Sequence, residues 1–210
     1  MVSLYIVRHG QTLLNCLDRA QGWSDSPLTD NGEQNAIDLG NSLKAIDFDA
    51  VYTSDMLRAV QTAELILQAS ESKVLVQKDI RLREWCLGSM EAENNTVFIK
   101  SVSDWLGGVD SFAELNSRLP DVANAIYEHD TTGIAEPFSF IVNRLQSVFI
   151  HIVQNANQHK HNNVLVVSHA FMIKTIFYLY APEQLGGMDK VKNTAILKLI
   201  YDEHGFHMLK

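Results

Sequence analysis

The stretch Val2-Ser3-Leu4-Tyr5-Ile6-Val7-Arg8-His9-Gly10, residues 2–10, decides the fold. Residues 2–7 are a short apolar run rich in β-branched side chains, the pattern of a buried strand. The run stops abruptly at a cation, an imidazole and a glycine. Open α/β sheets place their ligands at the carboxyl ends of the strands, so this cluster marks a candidate binding edge. Gly10 lets the backbone turn sharply and approach a bound group. Arg8 carries a planar fork of donors suited to phosphate or carboxylate. His9 is a nucleophile that is substantially neutral at physiological pH.

Working outward, the same grammar repeats. Thr29 or Asp30 is placed to cap a helix with the apolar stripe Ala36, Leu39, Leu43 and Ile46, ending near residues 44–46. Asp49–Thr53 reads as a second strand. Ser54 or Asp55 is then predicted to cap a helix with Met56, Val60, Ala63 and Leu67 inward. Arg58 falls in its first turn, where outward N–H groups welcome an anion. Lys73–Gln77 reads as a third strand, with Glu84 a few residues beyond it. Ser139–Gln158 is a long amphipathic helix. Val164–Val167 is a fourth apolar strand ending at Ser168-His169, followed by a helix over Ala170–Tyr180. Thr194–Tyr201 is a final strand that turns into a hairpin at residues 202–205. Alternating strands and helices with fully apolar strands predict an α/β fold, a three-layer sandwich with a mostly parallel central sheet and helices on both faces. Residues 92–137 contain no strand-like run. They read as an inserted helical cap, with helices around Thr96–Leu106 and Ser111–Glu128, within a single domain spanning residues 1–210.

Bulk composition narrows the function. A chain of 210 residues, 46% hydrophobic and 20% charged, suits one globular domain with a real core. A net charge of −8 argues against a nucleic-acid partner, so any anion must be held by a small local basic pocket. No apolar run reaches the roughly 18 residues of a membrane span, and the N-terminus has no signal-peptide pattern. Cys16 and Cys86 lack metal-ligand spacing and form no disulfide framework, which points to a reducing cytoplasm. His159 and His161 have a metal-like spacing but sit in a polar loop without converging ligands. Oligomeric state has no signature in the sequence.

The candidate residues gain meaning together. Singly, His169 reads as a hydrogen-bonded boundary residue, Arg58 as a surface residue, and Glu84 beside Arg83 as an ion pair of little worth. In a parallel sheet, however, Arg8, His9, Arg58, Glu84 and His169 gather at one edge. Such a set suits phosphate-ester chemistry. A neutral imidazole escapes the repulsion that a phosphoryl group imposes on anionic nucleophiles, provided its other nitrogen donates to a carbonyl or carboxylate. Arg8, Arg58 and His169 can hold the equatorial oxygens. Glu84 can protonate the leaving alkoxide, which requires burial or the bound phosphate to raise its pKa against the two arginines. Trp23, Trp85 and Phe171 serve equally as pocket lining or core, and Trp105 and Phe112 are weaker candidates for substrate contact.

These motifs resemble the histidine phosphatase superfamily, in the branch containing the cofactor-dependent phosphoglycerate mutases. Val7-Arg8-His9-Gly10-Gln11-Thr12 with Asn15 is similar to the opening motif, and Gln21-Gly22-Trp23-Ser24-Asp25-Ser26-Pro27-Leu28-Thr29 to the loop that follows it. Tyr52 to Ala63 resembles the segment bearing the phosphate-binding arginine, Leu82-Arg83-Glu84 with Leu87-Gly88 the acid–base segment, and Val167-Ser168-His169 the last motif. The resemblance implies that His9 is phosphorylated and that Glu84 is the general acid and base. It also implies that Asn15, Gln21 and Gly22 contact phosphate or substrate beside Arg8, Arg58 and His169. No metal or organic cofactor is implied, and the expected partner is a small phosphorylated substrate. The chain departs from the pattern in three places, the mildest being Ala170 after His169, where glycine is common. The usual Asp-Trp-Glu-Gly is Ser89-Met90-Glu91-Ala92, and residues 92–137 lack the paired arginines with which the mutases hold a second anionic group. Residues 92–137 carry two basic side chains, Lys100 and Arg118, against eight acids. Unless those acids face solvent, such a cap disfavours polyanionic substrates. The sequence therefore favours a phosphomonoesterase, with a phosphoglycerate mutase or a non-catalytic phosphate-sensing module as alternatives.

Overall fold

Among the described residues, six strands form one sheet, in the spatial order Val76–Lys78, Ala50–Thr53, Asn163–Ser168, Val2–Arg8, Ile196–Asp202 and Gly205–Met208. The strands are β1 (Val2–Arg8), β2 (Ala50–Thr53), β3 (Val76–Lys78), β4 (Asn163–Ser168), β5 (Ile196–Asp202) and β6 (Gly205–Met208). The computed structural model describes residues 1–109, 111–188 and 190–208, without the side chain of Phe112. Strands β1 to β4 run parallel, and β5 and β6 join antiparallel beside β1.

Period-two alternation assigns each strand side chain to a layer. Leu4 and Ile6 of β1 and Val164 and Val166 of β4 pack with Ile141, Leu145, Val148 and Ile152 of helix α7 (Phe138–His159). Helix α8 (Ala170–Tyr180) joins that face through Met172, Ile173 and Ile176. Val7, Val51, Leu165 and Val167 face the other way, onto Ala36 of α2 (Asp30–Ser42) and Ala59, Ala63 and Ile66 of α3 (Leu57–Ala69). The result is the expected helix–sheet–helix sandwich. Among the described residues no helix is long and apolar enough to cross a membrane.

Several elements differ from the sequence reading, each for a local reason. Helix α2 is capped by Thr29, whose hydroxyl accepts from the Gly32 N–H at 3.1 Å, but it ends at Ser42. The third strand is displaced and short. Leu75 is 83% exposed, so the apolar look of Lys73–Gln77 reflects an edge strand rather than a buried one. Neither Ser54 nor Asp55 caps α3. Both side chains are taken elsewhere, and the cap comes from outside the segment, where Asp25 accepts the Leu57 N–H at 2.6 Å. The helix expected over 111–128 is two, α5 (Phe112–Ser117) and α6 (Leu119–Glu128), because Pro120 stands at the start of α6 and cannot donate into a continuous helix. With α4 (Asn95–Trp105) these helices supply Phe98, Val102, Leu119, Val122 and Ile126 to the same apolar cluster that covers one face of the sheet.

Candidate active site

Strand register assembles the inner end of the site. Arg8 pairs with Ser168 across β1 and β4, and Thr53 with Val167 across β2 and β4. The residues immediately following, His9, Ser54 and His169, therefore emerge at one sheet edge. The His9 backbone N–H donates to the Ser168 carbonyl at 3.0 Å, and the Ser54 N–H to Val167 at 3.2 Å. The rings of His9 and His169 lie 5.2 Å apart between centroids.

Each histidine is bound through a different nitrogen. His9 Nδ1 lies 2.8 Å from the Gly10 carbonyl, a pure acceptor, so Nδ1 carries the proton and Nε2 keeps its lone pair. His169 Nε2 lies 2.7 Å from the Ser54 hydroxyl, while its Nδ1 is buried without a partner among the described residues. Burial, reinforced by Arg58 and other neighbouring positive groups, holds both rings well below the usual histidine range, so both are neutral near pH 7.

Two guanidinium groups flank the rings, Arg58 fully buried and Arg8 half-buried. Arg58 is fully buried; it donates to the carbonyls of Gly22 at 2.6 Å and Ser24 at 2.8 Å, and pairs with Asp25 at 2.9 Å. Arg8 donates to the Val191 carbonyl. The Nε atoms of both are buried without partners among the described residues. Burial brings Arg8 down to about 10 and lowers Arg58, yet both remain cations at neutral pH. The Nε–H donors of Arg8 and Arg58 and the unpartnered Nδ1 of His169 thus stand unanswered beside His9, in keeping with a place for an oxyanion.

Glu84 is buried where α8 begins. Its carboxylate accepts the backbone N–H groups of Phe171 at 2.9 Å and Met172 at 3.1 Å, and of Trp85 at 2.9 Å. It thereby does the capping that His169, the N-cap residue, does not do with its own side chain. Burial raises the Glu84 pKa, and the N–H bonds and the two arginines oppose it without cancelling it. Arg144 of α7 steadies the segment by donating to the carbonyls of Arg81, Arg83 and Glu84 at 2.6–2.9 Å while paired with Glu136.

Arg8, His9, Asn15, Gln21 and Glu84 line a cavity of about 280 Å³, with His169 and Arg58 buried beside them. The Gln21 side-chain oxygen accepts from the Thr12 hydroxyl at 2.7 Å, and Asn15 Oδ1 accepts from the Thr12 N–H and from Asn193 Nδ2, each at 3.2 Å. Gly22 does not line the cavity. Its N–H is taken by Glu91 and its carbonyl by Arg58, and a Cβ there would lie 2.3 Å from the same Glu91 carboxylate, so Gly22 packs behind Arg58 rather than at the cavity wall. The Glu91 carboxylate also accepts from Trp23, Ser24 and Leu87, and so holds the loop whose carbonyls grip Arg58. Of the aromatic candidates, Phe171 lines the cavity. Trp85 is core, stacked on Phe171 at 4.7 Å, and Trp105 stacks on His129; the Phe112 side chain lies outside the described residues.

The charge reading of residues 92–137 needs correction. Their contribution to the cavity wall is uncharged, namely Asn95, Phe98 and Ile99. The acids are spent elsewhere: Asp104 on Lys100, Asp121 on Arg118, Glu136 on Arg144, and Asp130 on the backbone N–H groups of Ser89, Thr132, Ile134 and Ala135. Asp110 lies outside the described residues. The cavity instead carries Arg8, Arg19, Lys174 and Lys190 against Asp18 and Glu84. Lys174 and Asn193 had no motif to announce them. Lys174 sits in an otherwise apolar helix, where it donates to Asn116 at 2.6 Å.

Comparison with known proteins agrees with this architecture. Residues 4–210 match the family model of the histidine phosphatase superfamily, branch 1. The "Probable phosphoglycerate mutase GpmB" of Escherichia fergusonii is 39% identical over 105 residues, 50% of this chain and 48% of that protein. The chain spans about half the length of the curated relatives it matches. The crystal structure of a phosphoglycerate mutase from Bacillus anthracis superposes with a TM-score of 0.92 at 33% identity, covering 99% of this chain and 91% of that one. A phosphoserine phosphatase from Entamoeba histolytica, in complex with 3-phosphoglyceric acid, superposes with a TM-score of 0.70 at 25% identity over 100% and 94% of the two chains.

Proposed function

The chain belongs to the histidine phosphatase superfamily, and from that premise we propose that it hydrolyses a small phosphomonoester through a phosphohistidine on His9. The observation that carries this reading is the bonding of His9: Nδ1 is committed to the Gly10 carbonyl, so the lone pair stands on Nε2, beside the unanswered Nε–H groups of Arg8 and Arg58 and the unpartnered Nδ1 of His169. Nε2 attacks phosphorus as the bond to the leaving oxygen breaks. Arg8, Arg58 and His169 stabilise the charge on the equatorial oxygens. Glu84, whose burial favours the neutral carboxyl, gives its proton to the departing alkoxide once the bound phosphate dianion adds to that bias. The resulting carboxylate then takes a proton from water, whose oxygen attacks the phosphohistidine. Inorganic phosphate leaves and His9 returns to its neutral state.

The cavity suits a small metabolite whose organic part packs on Leu87, Phe98, Ile99 and Phe171. Asn15 and Gln21 are proposed as further contacts to phosphate or substrate. A second reading, phosphoglycerate mutase, is favoured by one observation: the cavity is lined by more cations than acids, so a second anionic group is not repelled. Release of inorganic phosphate from p-nitrophenyl phosphate, with His9→Ala as control, tests the first reading. Interconversion of 3- and 2-phosphoglycerate primed by 2,3-bisphosphoglycerate, without net phosphate release, would replace it with the second.

A further inference from the structure

Ser54 is fully buried, and among the described residues its hydroxyl oxygen has one partner, His169 Nε2 at 2.7 Å. Two arrangements of hydrogens fit that distance. If Nε2–H donated to the serine oxygen, the hydroxyl proton would be left buried with no acceptor, at the cost of an unmade hydrogen bond. If the hydroxyl donates to Nε2, both groups are satisfied and the remaining ring proton must sit on Nδ1. That nitrogen is the buried atom without a partner, on a ring 5.2 Å from His9. The geometry of the chain keeps the pair in place, since Ser54 follows β2 and His169 follows β4, the two strands pair in parallel, and the Ser54 N–H is bonded to Val167.

We propose that Ser54 is a positioning residue that fixes the tautomer of His169, so that its ring presents Nδ1–H to the phosphoryl oxygen. The proposal deepens the phosphohistidine reading above and rests on it for the identity of the acceptor. Ser54 turns one of two chemically identical rings into a hydrogen-bond donor, while the Gly10 carbonyl turns the other into a nucleophile. Without Ser54, the His169 ring is free to carry its proton on Nε2, pointing a lone pair at the substrate's oxygens instead of a proton.

The test is ¹⁵N NMR of the wild-type protein labelled in its histidine rings, with His169 assigned by its loss in His169→Gln. A protonated Nδ1 and a bare Nε2 are expected, and a protonated Nε2 overturns the proposal whether or not any variant folds. In Ser54→Ala the His169 signals should move toward the other tautomer, and kcat on an alkyl phosphomonoester should fall about tenfold with a smaller change in KM. A folded Ser54→Ala enzyme with the wild-type tautomer and kcat overturns it as well. The two readings fail separately: an inert wild-type protein with Nδ1–H would sink the hydrolytic reading and still support the assignment of Ser54.

Discussion

The two ends of the cavity are built on different principles. At the inner end, Arg8, His9 and His169 each continue a parallel strand, Arg58 opens the helix after β2, and His9, Arg58 and His169 are all but removed from solvent. At the outer end, Asp18, Arg19, Asn95, Ile99, Lys190 and Asn193 come from loops and from α4, and all remain partly or fully exposed. The inner end is tied to the sheet's own hydrogen bonds and leaves no latitude in position. The outer end hangs from connections that can change without disturbing the sheet. On the proposed function, reaction type and substrate choice are thereby separable, and substitutions at the two ends should report that separation.

The largest effect is expected at the inner end. His9→Ala should lower kcat by about 10⁴-fold or more on every phosphomonoester, as loss of a nucleophile does, with no acid-labile phosphoprotein trapped after quenching. Glu84→Gln should cost about 10² to 10⁴-fold on alkyl phosphates, the usual worth of a general acid. On p-nitrophenyl phosphate, whose leaving group needs little help from a proton, the loss should be smaller, and the alkaline limb of the pH–rate profile should move. Equal losses on both substrates, or an unmoved limb, would break the assignment. The acid limb should fall below the ordinary histidine range, because burial and Arg58 hold His9 unprotonated. The same depression has a consequence for stability. The unfolded chain binds more protons than the folded one below about pH 6.5, so stability to denaturant should decline as the pH falls through that range.

The outer end should respond more gently and selectively. Ile99→Ala should raise KM about fivefold for a substrate whose organic part reaches α4, and leave kcat nearly unchanged. An equal fall in kcat for all substrates would show that the two ends are not independent. The smallest effect is expected where they meet. Ala92 has a φ of +58°, a conformation that penalises a Cβ, and its N–H donates to the Ala20 carbonyl beside the cavity. Ala92→Gly should leave kcat unchanged and stabilise the fold by about 0.5–1 kcal/mol in chemical denaturation.

Legibility in the sequence follows the same division. An apolar run that stops at a polar residue is readable without knowledge of the rest of the chain, so the sheet, His9, Arg58 and His169 stood out. The side chains that respond to folding at a distance did not. Asp25 caps α3 from 32 residues upstream of Leu57, and Ser54 turns from capping to binding His169. Lys174 reads as a stray charge on an apolar helix. The charge of residues 92–137 misled for a different reason. Net charge has no direction, and the acids named above answer local backbone and basic groups rather than facing the cavity.

The pairing of β1 with β4 has a temporal consequence. Arg8 and Ser168 are neighbours in the sheet but 160 positions apart along the chain. The proposed nucleophile, His9, is made 160 residues before His169, the ring that would help it. On the proposed reading, a nascent chain that ends before β4 carries a histidine that nothing yet equips to take up phosphate, and its reactivity begins only when the far strand closes the sheet.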